Sequence, residues 1–399
     1  MSDEWRRVPA ASVARIEIGG TPAREQPTFW AGQDSGHAWA SIADLTSEVV
    51  VETAEYISDL GVESSNVKLV PAGTPIMSFK LTIGRTSLAG RDLYTNEAIA
   101  AFFADPAQVD RRFLFHTLPR AARSVITDVA IKGATLNKKS LSSMQLLLPP
   151  IVEQRRIAEI LDTLDDQVHN TRRLISKLKK LKQGILTDIV LTRPNEIDDS
   201  RSGRLDDFVT WLSGGTPAKS NPRNWAGSIP WITPKDMKAP LLQWTTDSLT
   251  PSGVAAGSRL APESAVFIVV RGMILAHSFP VSRMMCEAAF NQDVKAVVPG
   301  ADVLSDYLKY WFIANGDSLL RLVGESTHGT KKLDLPDLKT FPAAMPPLAE
   351  QRYALSLLRT LDDRLSSETA LLQKFVNQKA GLMADLLTGR VRVPLEATS

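Results

Sequence analysis

The chain has 399 residues, 44% of them hydrophobic and 23% charged, with a formal net charge of +2. At roughly 100–200 residues per domain, this length implies two or three domains, each able to hold its own core. Near-average apolar, glycine and proline usage excludes disordered and collagen-like classes. A single cysteine, Cys286, excludes a disulfide framework and a multi-thiolate zinc site. With so small a net charge, any basic face must be local. The amino-terminal MSDEWRRVPAASVARIE lacks the apolar stretch of a secretion signal. The most apolar run, Ala265 to Val270, stops at Arg271, far short of the ~20 residues that span a bilayer. The expectation is a soluble, cytoplasmic protein without a membrane partner.

In chain order, Gly19-Gly20-Thr21-Pro22 reads as a tight turn, with Trp30 and Trp39 beyond it as core candidates. Val67–Val70, Pro75–Leu81 and Val125–Ile131 are apolar, bounded by turn residues, and read as strands. Val109–Leu118 reads as a short helix. Lys80, Arg85 and Arg91 fall in one loop-rich segment, and Lys138-Lys139 close the globular part. A Pro-Pro pair, Pro149-Pro150, then suits a helix entry. From Ile157 through Leu161, Leu164, Val168, Thr171, Ile175, Leu178, Lys182, Ile185 and Ile189, spacings of four and three alternate. That is a heptad seam sustained over about four heptads, with polar residues at two seam positions. Arg172, Arg173, Lys177, Lys179, Lys180 and Lys182 form an acid-free run on this helix, either a contact surface or a solvated flank.

The whole series then returns. Gly19 to Gly32 reappears as Gly214 to Gly227, with nine of fourteen positions identical, and Pro149 onward reappears from Pro346 at an offset of 197. Between these anchors, Pro71–Lys80 resembles Pro262–Arg271, Asn96-Glu97-Ala98 matches Asn291-Gln292-Asp293, and Leu136 and Leu141 match Leu333 and Leu338. Ala265–Val270 and Val294–Val298 read as strands and Asp306–Asn315 as a short helix. Arg271, His277 and Arg283 answer the first basic loop segment, and Lys331-Lys332 the first lysine pair. The second seam runs from Ala354 to Leu386, again with a lysine, Lys379, where the first has Lys182. The chain is a duplication of one unit, an α+β globular part followed by a long helix. About 38 residues per helix makes a rod of roughly 55–60 Å, read as a ruler between two globular parts rather than only a stabilising hairpin.

Chemistry is hard to find. Leu148-Pro149-Pro150-Ile151 and Met345-Pro346-Pro347-Leu348 lack the Asn or Asp and the aromatic of an adenine methyltransferase loop. Gly133 to Ser140 lacks the second glycine of a phosphate-binding loop. The faint nuclease pattern at Pro336–Lys339 has no acid at its first-half equivalent. His37, His116, His169, His277 and His328 show no metal-ligand spacing. No catalytic residue and no metal site is expected. Clustered Lys and Arg on duplicated domains instead suit phosphate contacts with some base-edge readout. The candidates for DNA binding are Lys80, Arg85, Arg91, Lys138, Lys139, Arg271, His277, Arg283, Lys331 and Lys332.

The two Pro-Pro-x-x-Glu-Gln-Arg entries (Pro149–Arg155, Pro346–Arg352), their Thr-Leu-Asp-Asp continuations (Thr163–Asp166, Thr360–Asp363) and the two Gly-Gly-Thr-Pro segments carry a family likeness. Over nearly its whole length the chain resembles the specificity subunit of Type I restriction–modification enzymes. The resemblance implies two α/β target-recognition domains separated by two long antiparallel coiled-coil helices, related by an internal pseudo-twofold. It places the first recognition domain at 1–148, the first spacer helix at 149–193, the second domain at 194–345 and the second helix with its tail at 346–399. It further implies a non-catalytic subunit reading a bipartite double-stranded DNA site, one domain per half-site. The partners are two methyltransferase and two restriction/motor subunits, which use S-adenosylmethionine, ATP and magnesium; no cofactor is expected on this chain. Docking and spacing fall to Glu153, Gln154, Arg155, Leu161, Leu164, Glu350, Gln351, Arg352, Leu358 and Leu361. The alternative is a coiled-coil protein–protein adaptor that never touches DNA.

Overall fold

Pro75–Ser78 and Val266–Val269 have no polar face, and each becomes the central strand of a five-stranded sheet. Alternation along these strands sends neighbouring residues to opposite cores. Val266, Ile268 and Val297 join a helix-packed core, whereas Phe267, Val269 and Ala296 join a second core on the other face. The first half repeats this with Met77, Ala100 and Phe102 on the helix side and Ile76, Ile99 and Ala101 on the other. The computed structural model describes residues 5–132, 137–192, 194, 196–197, 199–325 and 329–393.

Two units are present, Met1–Arg172 with Leu371–Ser399, and Arg173–Ala370. In the first, the sheet order is Ala14–Ile18, Ile99–Ala104, Pro75–Ser78, Thr86–Ala89, Val49–Val50. In the second it is Val209–Ser213, Val294–Pro299, Val266–Val269, Val281–Met284, Leu241–Leu242, the same topology. Each unit also has a four-stranded sheet containing both tryptophans of its pair and a two-stranded ladder at its helix entry, and the second adds a short ladder of Gly324–Glu325 with Lys331–Lys332. The entry ladders pair Arg6–Pro9 with Gln145–Leu148 and Arg201–Arg204 with Pro342–Met345, fastening the start of each globular part beside the entry to its long helix.

The first long helix runs Ile151–Ile185 and widens into a π-helical segment, Leu186–Thr192; the second runs Leu348–Leu386. The division between units falls inside both, so each unit holds the start of one helix and the end of the other. Within the first unit Ile157, Ala158 and Leu161 share a core with Leu386 and Leu387. Within the second, Ala354, Leu355 and Leu358 share one with Leu186, Ile189 and Val190. The helices therefore pack antiparallel, as the family resemblance implies.

Local readings differ at three places. Val125–Ile131 is not a strand: Arg111–Lys132 is one helix that continues through Pro119. Its β-branched residues favour a strand intrinsically, but Phe113, Leu114, Leu118, Ala121 and Ala122 bury one helical face against the sheet, and packing outweighs propensity. Val67–Val70 contributes only an isolated bridge, Val70 to Leu93. Pro75–Leu81 pairs only as far as Ser78. Leu136 and His328 lie outside the described residues. Among the described residues, no helix is long and apolar enough to cross a membrane.

Candidate nucleic-acid interface and its supporting clamps

The Gly-Gly-Thr-Pro turns are internal fasteners. A Cβ on Gly19 would stand 2.0 Å from the Thr95 carbonyl oxygen, and one on Gly214 would stand 2.1 Å from that of Phe290. Only glycine permits that approach. The next glycine accepts from a buried indole: Trp39 Nε1 donates to the Gly20 carbonyl at 2.9 Å, and Trp231 Nε1 to that of Gly215 at 3.1 Å. Trp30 and Trp225 complete T-shaped pairs with these rings at 5.2 and 5.0 Å. Trp39 and Trp231 are thus core residues, and Trp30 and Trp225 pack against them partly buried.

The Glu-Gln of each helix entry is likewise internal. Gln154, 1% exposed, accepts from the Asp110 N–H at 2.9 Å and donates to the carbonyls of Gln108 and Pro149 at 3.1 and 2.9 Å. Gln351, fully buried, accepts from the Leu304 N–H at 2.8 Å and donates to Asp302 and Pro346 at 2.7 and 2.8 Å. A primary amide fits because the site needs one acceptor and two donors. Glu153 is also fully buried and takes Arg392 through Nε and Nη2 at 2.8 Å each. Leu161, Leu164 and Leu358 are buried too, and Leu361 and Glu350 half-buried. Glu153, Gln154 and Gln351 are therefore corrected from docking surface to internal clamps, while Leu161, Leu164 and Leu358 are buried where the heptad seam places them. Arg155 and Arg352 remain exposed on the helices.

The polar seam positions find partners in the Thr-Leu-Asp-Asp segments. Lys379 pairs with Asp165, and Lys182 with Asp362, each within its own unit. Tyr310, on the domain helix Ser305–Ala314, also donates to Asp362. Its counterpart in the first unit is His116, buried, with Nε2 at 2.6 Å from Asp162 Oδ1 and Nδ1 at 4.0 Å from Asp165. His116, Asp162 and Asp165 are close enough to hold a cation. Arg112 and Lys379 already sit on those carboxylates, so the group is an ion-paired clamp.

One pair is inverted between the halves. In the first unit Arg112 on the domain helix donates through Nε to Asp162 on the long helix at 2.7 Å, and through Nη2 to Glu48 at 2.7 Å. In the second, the acid is on the domain: Asp306 accepts from Arg359 of the long helix at 2.7 Å, and from Arg283 at 2.6 Å and Lys309 at 3.2 Å. Burial alone would raise the Asp306 pKa, but Lys309, Arg359 and Arg283 outweigh it and pull it down to about 2. Burial also opposes ionisation of Asp162, where His116 and Arg112 win and lower it. From sequence, Arg283 was singled out as a basic candidate and His116 among the histidines, but not Arg112, Glu48, Asp162, Asp306, Lys309 or Arg359. The available signal was the recurrence of Lys182/Lys379 and of the two aspartates at one offset.

Of the basic candidates, Lys80 and Arg85 are exposed in the loop between Pro75–Ser78 and Thr86–Ala89. Arg91 is exposed but lies past the far end of Thr86–Ala89, so the expected single cluster is divided. Lys138 and Lys139 are exposed on the helix Lys138–Ser142, Lys138 pairing with Glu17 at 3.2 Å. In the second unit Arg271 and His277 are exposed, and the Arg271 backbone forms an isolated antiparallel β-bridge with that of Lys332. Lys331 and Lys332 are half-buried and paired with Glu325 and Asp334. Burial, and then the nearby Arg271 guanidinium, lower the pKa of Lys295, which adds a cation to this face. Arg283 is corrected: 7% exposed and bound to Asp306, it faces inward. Arg172, Arg173, Lys177, Lys179 and Lys180 are exposed, whereas Lys182 turns into the seam.

A family model described as "Type I restriction modification DNA specificity domain" matches twice, at residues 2–180 and 197–375. The chain is 30% identical over 217 residues to the Type I restriction enzyme EcoR124I/EcoR124II specificity subunit of Escherichia coli, an alignment covering 53% of each chain. It is 18% identical over 281 residues to the putative MjaX specificity subunit of Methanocaldococcus jannaschii, covering 66% of this chain and 63% of that one. The chain thus spans about half to two-thirds of the length of these curated relatives. Among solved structures, the Type I restriction-modification system S subunit from M. genitalium shares the fold with a TM-score of 0.58 at 14% identity, covering 96% of both chains. A chain from a study of complex assembly and conformational transition of the type I R-M system matches with a TM-score of 0.60 at 16% identity, over 98% of this chain and 99% of that one.

Proposed function

The chain belongs to the Type I restriction modification DNA specificity family, and on that premise we propose that it is the non-catalytic DNA sequence-recognition subunit of a restriction–modification complex. Each unit reads one half of a bipartite duplex site. The long helices set the gap and dock two methyltransferase subunits, with two restriction/motor subunits joining for cleavage. S-adenosylmethionine, ATP and magnesium act on those partners. The observation that supports this best is the duplication itself: two family matches, two sheets of one topology, and basic loops at equivalent positions of each.

The test is co-expression with a neighbouring methyltransferase subunit, followed by mapping of methylated adenines across a plasmid library. The expected result is a split motif with a fixed gap, altered on one side only when one globular part is exchanged. The buried clamps at both helix entries also suit a rigid coiled-coil adaptor that binds proteins alone. Salt separates the two, because phosphate contacts weaken steeply with ionic strength through counterion release and apolar docking does not.

A further inference from the structure

In each five-stranded sheet, the central strand and its neighbour are joined by a loop at the same place in the duplicated fold. The loops read Lys80-Leu81-Thr82-Ile83-Gly84-Arg85 and Arg271-Gly272-Met273-Ile274-Leu275-Ala276-His277. They share almost no sequence, yet both hold hydrocarbon out in water. Leu81 is 94% exposed, more than any other large hydrophobic among the described residues, and Met273 is 61% exposed with Ile274 at 42%. Leu81 also sits at φ +57°, a left-handed conformation that a leucine seldom adopts. In the second loop Gly272, at φ +138°, begins the tip. Basic residues bracket both tips, all exposed: Lys80 and Arg85 in the first, Arg271 in the second, with the His277 imidazole at its far side.

A leucine lifted off the fold in a strained turn does nothing for its own unit's core. It suits a ligand that offers negative charge on either side of an apolar surface. Duplex DNA has that arrangement, with phosphates flanking base edges and thymine methyls, and apolar side chains serve other proteins as wedges at base steps. The flanking cations argue for it over an apolar protein groove.

We propose that these two tips are the base-contacting points of the chain: Leu81 in one unit and Met273 in the other press hydrocarbon against bases, while the flanking cations hold phosphates. This rests on the recognition reading above and specifies where it acts. A contact with bases forms only in the specific complex, since non-specific binding is held at phosphates. Leu81→Ala should therefore weaken binding to the cognate duplex on the order of 10-fold, with scrambled-duplex binding and the salt slope unchanged. Lys80→Ala should weaken both alike and lower the salt slope by about one.

The experiment uses the full chain with its methyltransferase, a duplex carrying the motif found by methylation mapping, and a scrambled duplex of equal length. Leu81→Ala, Leu81→Asn (which keeps a residue tolerant of the left-handed turn) and Met273→Ala are compared by anisotropy competition. Relaxed sequence preference in one half-site for each tip is the expected result. A cognate-to-scrambled ratio within about twofold of the unsubstituted protein for all three would overturn the proposal. So would loss of methyltransferase co-purification with DNA preference intact, which would assign the tips to a protein contact. If the unsubstituted complex prefers no duplex at all, the recognition reading itself falls, a result distinct from either.

Discussion

The inverted ion pair makes a prediction that can be worked through. Arg112→Asp removes two charge-assisted hydrogen bonds, to Asp162 and Glu48, and places a third carboxylate between them. Such bonds contribute about 1.5–3 kcal/mol each when shielded. Arg112 and Asp162 are 29% and 26% exposed, so solvent screening brings the sum to about 3 kcal/mol. Adding Asp162→Arg restores the cross-element pair with its sign reversed, as nature has it at Asp306 and Arg359. Recovery should be less than half, because Glu48 still faces the new aspartate and the buried His116 loses its Asp162 partner; Glu48→Lys should recover only the first of these losses. The second unit shows why: Asp306 accepts from three cationic side chains, Arg283, Lys309 and Arg359. Urea titration of the full chain, with hydrogen exchange followed separately in Arg111–Lys132 and Ser305–Ala314, keeps the two units apart. A double-mutant-cycle coupling below about 0.5 kcal/mol would refute the reasoning. A coupling of about 2 kcal/mol would also mean that a first globular part grafted onto the second long helix must meet an acid at position 359, not Arg359.

Three further outcomes are expected. The folded pKa of Asp306, about 2, lies below its ordinary 3.8. The unfolded chain therefore takes up the proton first as pH falls. Its contribution, about 2 kcal/mol, is complete above pH ~4 and disappears towards pH ~2; Asp306→Asn should flatten that part of an acid-unfolding titration, and an unchanged slope would contradict it. Gly214→Ala should cost about 2–3 kcal/mol, because the new methyl meets the backbone oxygen of Phe290 and cannot move it aside; a calorimetric midpoint equal to that of the unsubstituted chain would show that the turn has slack. Gln351→Glu exchanges two donated hydrogen bonds for a carboxylate beside the Asp302 and Pro346 carbonyls, and should destabilise by about 2–4 kcal/mol. Gln351→Leu, of similar shape, leaves the same carbonyls unpaired and should cost about as much; denaturant midpoints that part the two variants widely would point to charge rather than lost donors.

The duplicated plan was legible because what closes each unit is repeated in sequence: Gly-Gly-Thr-Pro, Pro-Pro-x-x-Glu-Gln and the lysine–aspartate seam. What those residues do was less legible. Gln154 and Gln351 look like surface helix polars, and only the folded chain brings Gln108 and Asp302 to them across more than forty residues. Arg283 was misjudged for a similar reason: a basic residue in a loop-rich segment reads as exposed until Asp306 is seen against it. The Val125–Ile131 stretch failed because its β-branched residues favour a strand intrinsically, while the chain there continues the helix Arg111–Lys132. At the basic loops, counting cations divided wrongly, since strand Thr86–Ala89 separates Arg91 from Arg85, a matter of topology rather than composition.

The seam shows how the duplication fixes its own register. Lys182 and Lys379 stand at positions where apolar residues would pack more tightly, and each meets an aspartate of the opposite helix within one unit. A slip of one heptad keeps apolar residues facing apolar residues, so hydrophobic packing alone resists it weakly. The same slip moves both lysines about 10 Å along the axis, away from both aspartates and away from Tyr310 and His116, which pack against those acids from the domain side. Two partly buried carboxylates would then lose their cations together. Because the lysines and aspartates recur at the same repeat, a single antiparallel register satisfies both pairs at once. The polar residues that weaken the seam locally are thus what hold its register within each unit.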